Sequence, residues 1–255
     1  MADYSIWERF NHFMRAVTGQ TRYIYDRETE SFLEMIRQTA EKRAEILPAD
    51  ASLWRAQRGN VWIQQKCDEF DFGDVPQPLA RERMKPPHEG AVEGRANPKG
   101  VAYLYLATDH DTAIGEVRPW IGAYVSVGLF KPCRELSIVN CTAMGDSIPV
   151  LIWHWPQGSP AKDCEDTLWT RIGGQFATPV TPSDNTAYYV PTQIIAELFK
   201  AEGFDGIKYR SSLGKGQNVV LFDPDAAEIK SSRLFYVKSV AFEFDEITDS
   251  LKGQE

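Results

Sequence analysis

The sequence predicts an α+β protein, with a strand-rich core surrounded by helices and a helical appendage at the N-terminus. Apolar residues recur at helical spacing over most of residues 1–50. From residue 52 onward, short apolar or alternating segments bounded by turn-forming residues are separated by helical segments. The 255 residues suffice for one large domain or for a core domain with an appendage. We therefore divide the chain into an N-terminal helical extension, 1–50, and a core domain, 51–255.

The composition is typical of a soluble globular protein, with 43% hydrophobic and 25% charged residues. A net charge of -8 argues against general nucleic-acid binding, although a local basic pocket can still hold a small anion. No apolar run is long enough to cross a bilayer, and the N-terminus lacks the pattern of a secretion signal. The four cysteines have no paired spacing, which indicates free thiols in a reducing cytoplasm and no zinc site.

Two amphipathic helices are predicted in the extension. The first carries an apolar stripe from Trp7 to Val17 and ends at Gly19. The second begins near Ser31, which has a glutamate three residues later, and its apolar stripe continues to Leu47. Neither helix carries obvious chemistry. We expect them to pack on the core, and partner binding is the alternative.

The core domain is predicted to alternate irregularly between strands and helices. Strands are expected where apolar residues run together or alternate, and helices where apolar residues recur three to four apart before a glycine or proline. In chain order, the predicted elements are a strand over 53–59, an irregular connection over 67–94, a strand over 101–107, a helix over 112–117, strands over 123–130 and 135–140, helices over 166–176 and 192–201, strands over 206–209 and 218–222, and an edge strand over 234–244. Long loops in compact domains often cover a site, so the 67–94 connection is either a lid or a plain surface loop.

The stretch from Gly94 to Pro119 combines a turn-rich loop, a strand and a short helix. Arg95 lies in the loop, and its planar guanidinium suits phosphate oxygens. Tyr105 lies on the strand and can present its ring to a flat base or a cationic pyridinium. Glu116 lies near the end of the helix, where a carboxylate can hold ribose hydroxyls or stabilise positive charge on a sugar carbon. Each residue alone is more often a surface charge or core packing, but together they favour a nucleotide site.

Two other segments supply matching groups. Ser211 and Ser212 follow a predicted strand and offer hydroxyls, and Arg55 lies on an earlier strand. With the loop, strand and helix above, these residues suit a ribose–phosphate ligand that carries an aromatic base. The lysine between Gly214 and Gly216 lacks the spacing of a phosphate loop, and a hairpin or simple loop is the favoured interpretation.

Several short motifs of the chain resemble those of the RES-domain family, named for its arginine, glutamate and serine motifs. They span roughly residues 52–225. In chain order they are Leu53-Trp54-Arg55, Gly94-Arg95-Ala96-Asn97 with Gly100, Tyr105-Leu106-Ala107, Ala113-Ile114-Gly115-Glu116, and Tyr209-Arg210-Ser211-Ser212 followed by Asn218-Val219-Val220-Leu221-Phe222. Ala96 stands where the family usually has an aromatic residue, so Trp54 becomes a candidate for the stacking wall.

This resemblance implies a mixed β-sheet core like that of ADP-ribosyltransferase toxins, with a pocket for NAD as substrate. Family members are the toxin halves of toxin–antitoxin pairs, so an Xre-type antitoxin is the implied protein partner. They break the nicotinamide–ribose bond of NAD as phosphorylases or hydrolases, with phosphate or water as acceptor, or they transfer ADP-ribose. No metal is expected.

The resemblance also implies roles for individual residues. Arg55 and Arg95 would bind the phosphates and ribose of the dinucleotide, and Tyr105 would stack near nicotinamide. Glu116 would engage the nicotinamide ribose and stabilise an oxocarbenium-like transition state, as carboxylates do in glycoside cleavage. Ser211 would orient the ribose. The catalytic candidates are therefore Arg95, Glu116 and Ser211, and the binding candidates are Arg55, Tyr105, Arg95, Ser211 and Ser212.

Two alternatives stay open beside an NAD phosphorylase or hydrolase. One is a protein ADP-ribosyltransferase, which shares the same bond cleavage. The other is a non-catalytic module that binds NAD or another nucleotide, or that binds a protein partner.

Overall fold

The computed structural model describes residues 6–67, 70–87, 89–142, 165–178 and 186–241. Its helices are α1 (Ile6–Gly19), α2 (Arg27–Ala40), α3 (His110–Glu116), α4 (Glu165–Ala177) and α5 (Val190–Ala201). Its strands are β1 (Ala44–Leu47), β2 (Leu53–Arg58), β3 (Val61–Cys67), β4 (Phe70–Gln77), β5 (Leu104–Ala107), β6 (Tyr124–Pro132), β7 (Leu136–Asn140), β8 (Gly206–Arg210), β9 (Gln217–Leu221) and β10 (Ala227–Tyr236). Within these ranges, no helix is long and apolar enough to cross a bilayer.

A mixed sheet of eight strands forms the centre of the molecule, in the order β1-β7-β8-β9-β5-β2-β6-β10. The pair β7–β8 is parallel, and α4 and α5 belong to the long connection that a parallel pair requires. The other neighbouring strands of this sheet are antiparallel. Strands β3 and β4 form a separate hairpin. This arrangement confirms the predicted α+β class, with a mixed sheet surrounded by helices.

The two faces of the sheet carry different hydrophobic clusters, as strand β9 shows. Val220 belongs to a cluster that the helices cover, whereas Val219 and Leu221 belong to a cluster that contains Phe130. Successive side chains of a strand point to opposite faces, so Asn218 lies on the same face as Val220. This helix-covered face is also the face on which the candidate site lies.

Aromatic packing holds the N-terminal helices against that face. Phe13 of α1 stacks on Phe32 of α2 with ring centroids 4.8 Å apart, and both side chains are fully buried. The same cluster contains Trp169 of α4 and Phe199 of α5, whose rings stack at 5.9 Å. The helical extension and the core domain therefore share one hydrophobic core.

The second helix begins and ends earlier than the apolar pattern indicates. Asp26, not Ser31, is the N-cap, because its Oδ1 accepts a hydrogen bond from the backbone N–H of Thr29 at 2.8 Å. The helix ends at Ala40, and Ala44–Leu47 is an edge strand paired with β7. The prediction of helix to residue 47 is wrong because four residues are too few to show the alternation of a strand.

The predicted irregular connection over 67–94 is wrong in its first part. Strands β3 and β4 pair in an antiparallel hairpin that starts with Val61 opposite Gln77. Pro76 lies inside β4, which an isolated hairpin tolerates because each strand has one edge without ladder hydrogen bonds. Proline and mixed charges concealed this strand from the hydrophobic pattern.

The last strand is an edge strand, as predicted, but it occupies different residues. It runs over Ala227–Tyr236 beside β6, and the end of the predicted range, 242–244, lies outside the described residues. A register shift between Ile229 and Ser231 interrupts the alternation in its first half, which explains the late predicted start. The other predicted elements of the core are confirmed, with ends displaced by three residues or fewer.

We expect Phe13→Ala to destabilise the whole chain, because the substitution empties a fully buried site between α1 and α2. The free energy of unfolding should fall by about 3–5 kcal/mol, measured by urea denaturation with circular dichroism and tryptophan fluorescence. Both probes should report one transition, since the helices share the core of the sheet. Ile24→Ala is the control, because Ile24 is 83% exposed. Two separate transitions in Phe13→Ala would contradict a shared core.

Candidate active site

A cavity of about 300 Å³ lies where strands β2 and β5 separate. These strands share a single register pair, Trp54 opposite Ala107, although β2 pairs along its length with β6 and β5 with β9. The sheet is therefore open between them. The cavity is lined by residues of β2, β5, α3, β8 and β9, namely Trp54, Arg55, Ala56, Tyr105, Leu106, Ala107, Ala113, Glu116, Val117, Tyr209 and Asn218.

Helix α3 carries Glu116 to the wall of this cavity. Its N-cap is Asp109, one of two aspartates whose residue type suits a helix cap, the other being Asp111: Oδ1 of Asp109 accepts from the backbone N–H of Thr112 at 2.7 Å. The second carboxylate oxygen accepts from the Thr112 hydroxyl at 2.8 Å. These bonds fix the start of the helix. Glu116, seven residues after Asp109, is the last residue of the helix, and its side chain lines the cavity.

Two side chains donate hydrogen bonds to the same oxygen of Glu116. The hydroxyl of Ser211 donates to Oε1 at 2.7 Å, and Nδ2 of Asn218 donates to Oε1 at 2.6 Å. The structure thus brings Glu116 and Ser211, 95 residues apart in sequence, into direct contact. Ser212 is exposed and does not line the cavity. Its predicted contact with a nucleotide stays a prediction.

The loop after β8 is packed directly on α3. A Cβ atom added to Gly115 would lie 2.4 Å from the carbonyl oxygen of Leu213, and one added to Gly216 would lie 1.8 Å from Oδ2 of Asp109. The backbone N–H of Gly216 donates to the Thr112 hydroxyl at 2.9 Å. These glycines permit a backbone approach that places Ser211 beside Glu116. Because β8 and β9 are antiparallel neighbours, this segment is the loop of a hairpin, one of the two forms predicted for it.

The side chain of Tyr105 lines the cavity, and its hydroxyl also bonds to the loop that precedes β5. Its hydroxyl donates to Oδ1 of Asn97 at 2.7 Å and accepts from the backbone N–H of Ala96 at 3.0 Å. Asn97 is buried and donates from Nδ2 to the carbonyl of Val101 at 2.8 Å. Burial raises the pKa of Tyr105 above its ordinary value. The phenol is therefore a fixed neutral group, and its stacking on nicotinamide stays a prediction.

Arg55 supplies a partly buried cation in the wall. One terminal nitrogen donates to the carbonyl oxygen of Tyr105 at 3.1 Å. Nε is buried and has no hydrogen-bond partner among the described residues. Burial lowers the pKa of Arg55, but a guanidinium remains protonated at neutral pH. An anionic group that enters the cavity could therefore accept a charge-assisted hydrogen bond from it.

Arg95 is not a lining residue of the cavity, although it lies close to Tyr105 and Tyr209 of the cavity wall. It donates to the carbonyl oxygens of Phe176 at 2.7 Å and Ala177 at 3.1 Å, at the C-terminal end of α4. Burial raises the pKa of Tyr209, and the nearby charge of Arg95 partly opposes this effect. Arg95 thus joins the end of α4 to the cavity wall. Its predicted contact with phosphate or ribose stays a prediction.

Sequence reasoning missed Asn218 and Tyr209 as residues of the site, although both belong to quoted motifs. Asn218 is 5% exposed and directly precedes three buried apolar residues of its strand. A buried amide has to be hydrogen-bonded, so its position alone could have marked it. Tyr209 is buried against Phe176, with ring centroids 5.5 Å apart, and nothing in the local sequence distinguished it from core packing.

Comparison with known proteins identifies a matching family. The family model described as RES domain matches residues 52–245. The chain belongs to the RES-domain family. This match confirms the resemblance that the motifs indicated. A chain of the M. tuberculosis MbcT-MbcA toxin-antitoxin complex is similar in structure, with 14% identity, a TM-score of 0.44, and coverage of 80% of this chain and 93% of that chain. The family assignment rests on the sequence match alone. A comparison with curated proteins finds no match.

In the loop before β5, Ala96 stands where the resemblance to the family led us to expect an aromatic residue. Ala96 is fully buried. Trp54 lines the cavity, and its ring meets that of His110 edge-on with centroids 5.7 Å apart. The indole of Trp54 therefore lines the cavity, and its stacking on a ligand stays a prediction. Among the described residues, no group of three or more histidine, cysteine or acidic side chains is placed to hold a metal ion.

We expect Gly115→Ala to displace the loop after β8, because the new methyl group would collide with the carbonyl of Leu213. The collision should cost about 1–3 kcal/mol of folding free energy and weaken the Ser211–Glu116 hydrogen bond. Hydrogen exchange should show faster exchange in residues 211–216 of the variant. Gly19→Ala is the matched control, since nothing lies within 4 Å of its added Cβ. Unchanged exchange in residues 211–216 would show that the close packing does not position the loop.

Proposed function

We propose that this RES-domain protein consumes NAD by cleaving its nicotinamide–ribose bond, with phosphate or water as acceptor and without a metal. The observation that carries the proposal is the carboxylate of Glu116, which lies in the wall of the cavity and is held by Ser211 and Asn218. Family membership supports the substrate class, because the family resemblance implies NAD and a core like that of ADP-ribosyltransferases. The reaction would take place in the cytoplasm, where NAD and phosphate are available.

The chemistry requires stabilisation of a cation more than it requires a strong acid. When the bond between the ribose C1′ and the nicotinamide nitrogen breaks, its electron pair leaves with nicotinamide, and positive charge develops on the sugar. A carboxylate beside the ribose stabilises that charge. An oxygen of phosphate or water then bonds to C1′, and water releases a proton to solvent. Glu116 is the group of the cavity that meets this need.

The size and charge of the cavity fit one end of the dinucleotide. A volume of about 300 Å³ is at the lower end of ligand pockets, so it suits nicotinamide and its ribose, while the adenosine end would extend outside. Arg55, whose side chain lines the cavity, would meet a phosphate oxygen through its guanidinium. Trp54 and Tyr105 offer rings for the cationic nicotinamide. Glu116 and Arg55 thus provide opposite charges for the two parts of the substrate.

We expect purified protein to release nicotinamide from NAD, with turnover measured by chromatography in the presence and absence of phosphate. Glu116→Gln should lower kcat by about 10²–10³-fold, because the amide retains the shape of the side chain and loses its negative charge. NAD binding, measured by calorimetry, should be retained. Glu228→Gln is the control, since Glu228 is exposed on the edge strand and pairs with Lys230.

The same assay separates the alternatives. Modified protein in place of free ADP-ribose or its phosphate ester would favour an ADP-ribosyltransferase. NAD binding without turnover would favour a non-catalytic module, and the absence of both binding and turnover would refute an NAD site. Equal kcat in Glu116→Gln and the wild type would remove Glu116 from the chemistry.

We also propose that the protein is the toxin of a toxin–antitoxin pair, with an Xre-type antitoxin as partner. RES-domain membership supports this role, because the family resemblance implies it. Expression of the wild type in bacterial cells should lower cellular NAD and arrest growth, and Glu116→Gln should do neither. Normal growth and NAD levels, with wild-type protein that is active in vitro, would contradict the toxin role and leave the NAD chemistry intact.

A further inference from the structure

Asn218 is a buried polar residue in the middle of the main sheet. Its neighbours in β9, Val219 to Leu221, are fully buried and apolar. In the register of the sheet, Asn218 lies between Ala107 of β5 and Tyr209 of β8. Asn218 is a residue of β9 that lines the cavity, and its side chain points to the face on which Glu116 lies, because its Nδ2 donates to Oε1 of Glu116.

The hydrogen bonds of Glu116 are unequally divided between its two oxygens. Asn218 and Ser211 both donate to Oε1, at 2.6 and 2.7 Å, from different strand ends. Oε2 accepts no hydrogen bond from the described residues. Two donors on one oxygen fix the torsion of the carboxylate, because rotation of the group would break both bonds at once. One oxygen is anchored in this way, and the other remains for a ligand in the cavity.

We propose that Asn218 is a positioning residue that, together with Ser211, anchors Oε1 of Glu116 and presents Oε2 to the reacting ribose. This inference rests on the proposed cleavage of NAD and assigns a role to a residue that is not itself expected to react. An anchored carboxylate needs no reorganisation as positive charge develops, so its electrostatic effect is larger in the transition state. The loss of Asn218 should therefore affect kcat more than substrate binding.

The competing explanation is that the Asn218–Glu116 hydrogen bond only stabilises the fold. The chain contains a similar asparagine–glutamate bond that can serve as a control. Asn140, on β7, donates from Nδ2 to Oε2 of Glu45 at 2.7 Å. Glu45 also pairs with Lys208, and none of these three residues lines the cavity. Asn140→Ala therefore removes an equivalent asparagine–glutamate bond away from the site. It should change stability and leave kcat for NAD unchanged.

The test compares Asn218→Ala and Asn218→Asp with the wild type and with Asn140→Ala. Asn218→Ala should lower kcat by about 10–100-fold, the range expected for one hydrogen bond to a charged group, with KM for NAD changed by less than about threefold. Asn218→Asp keeps the shape of the side chain but replaces the donor with a second carboxylate beside Glu116. It should lower kcat at least as much, and it serves as the second variant if Asn218→Ala does not fold.

Coupling to Glu116 distinguishes positioning from packing. In a Glu116→Gln background, Asn218→Ala should cost less than about threefold in kcat, because the charge that Asn218 orients is already absent. An equal loss in both backgrounds would overturn the proposal, as would a kcat of Asn218→Ala within twofold of the wild type. An equal fall in kcat for Asn140→Ala would also overturn it.

A structural measurement keeps this inference separate from the proposed function. If the wild type does not turn over NAD, the proposed reaction fails, and crystal structures of Asn218→Asp and the wild type still test the positioning. A Glu116 carboxylate that rotates away from its wild-type orientation would support positioning by Asn218. An unchanged carboxylate would refute it.

Discussion

The site depends on a negative charge held at a break in a sheet. Strands β2 and β5 share one register pair, and the carboxylate of Glu116 lies in the opening that their separation creates. A partly desolvated carboxylate is costly unless donors compensate it, and Ser211 and Asn218 supply those donors. The two donors come from neighbouring antiparallel strands, so the register of β8 and β9 sets the orientation of the charge.

Much of the surrounding structure supports that arrangement. The capped start of α3 at Asp109 sets where the helix ends, and the glycines of the following loop allow backbone to lie against it. On the other side of the cavity, Tyr105 bonds to Asn97 and so ties the preceding loop to the sheet. Gln193 of α5 donates to carbonyl oxygens in the same loop, which connects the site to the helices. The cavity is therefore formed by groups whose positions the fold fixes before any ligand arrives.

Local chemistry made several of these features predictable, and long-range pairing hid the others. An aspartate cap for α3 follows from residue type, although Asp109 and Asp111 fit it equally and the structure selects Asp109, and the helix follows from the apolar spacing. The hairpin β3–β4 was missed because proline and charge interrupt its pattern, and β1 because a four-residue edge strand shows no period. The predicted contact of Arg95 with phosphate or ribose stays a prediction. Arg95 also bonds to the end of α4, which lies 81 residues away in sequence, and nothing near Arg95 indicated that contact.

The sequence by itself determined the class of the fold, the family, and the residue types from which a nucleotide site could be built. Those properties depend on patterns within short segments, where spacing and side-chain chemistry act directly. Only the tertiary structure decided which atoms meet. Ser211 and Asn218 both donate to one oxygen of Glu116, and the indole of Trp54 lines the cavity. These contacts depend on the register of the strands and on the separation of β2 from β5. Contacts across a hundred residues are set by the packing of the whole core, which no short segment encodes.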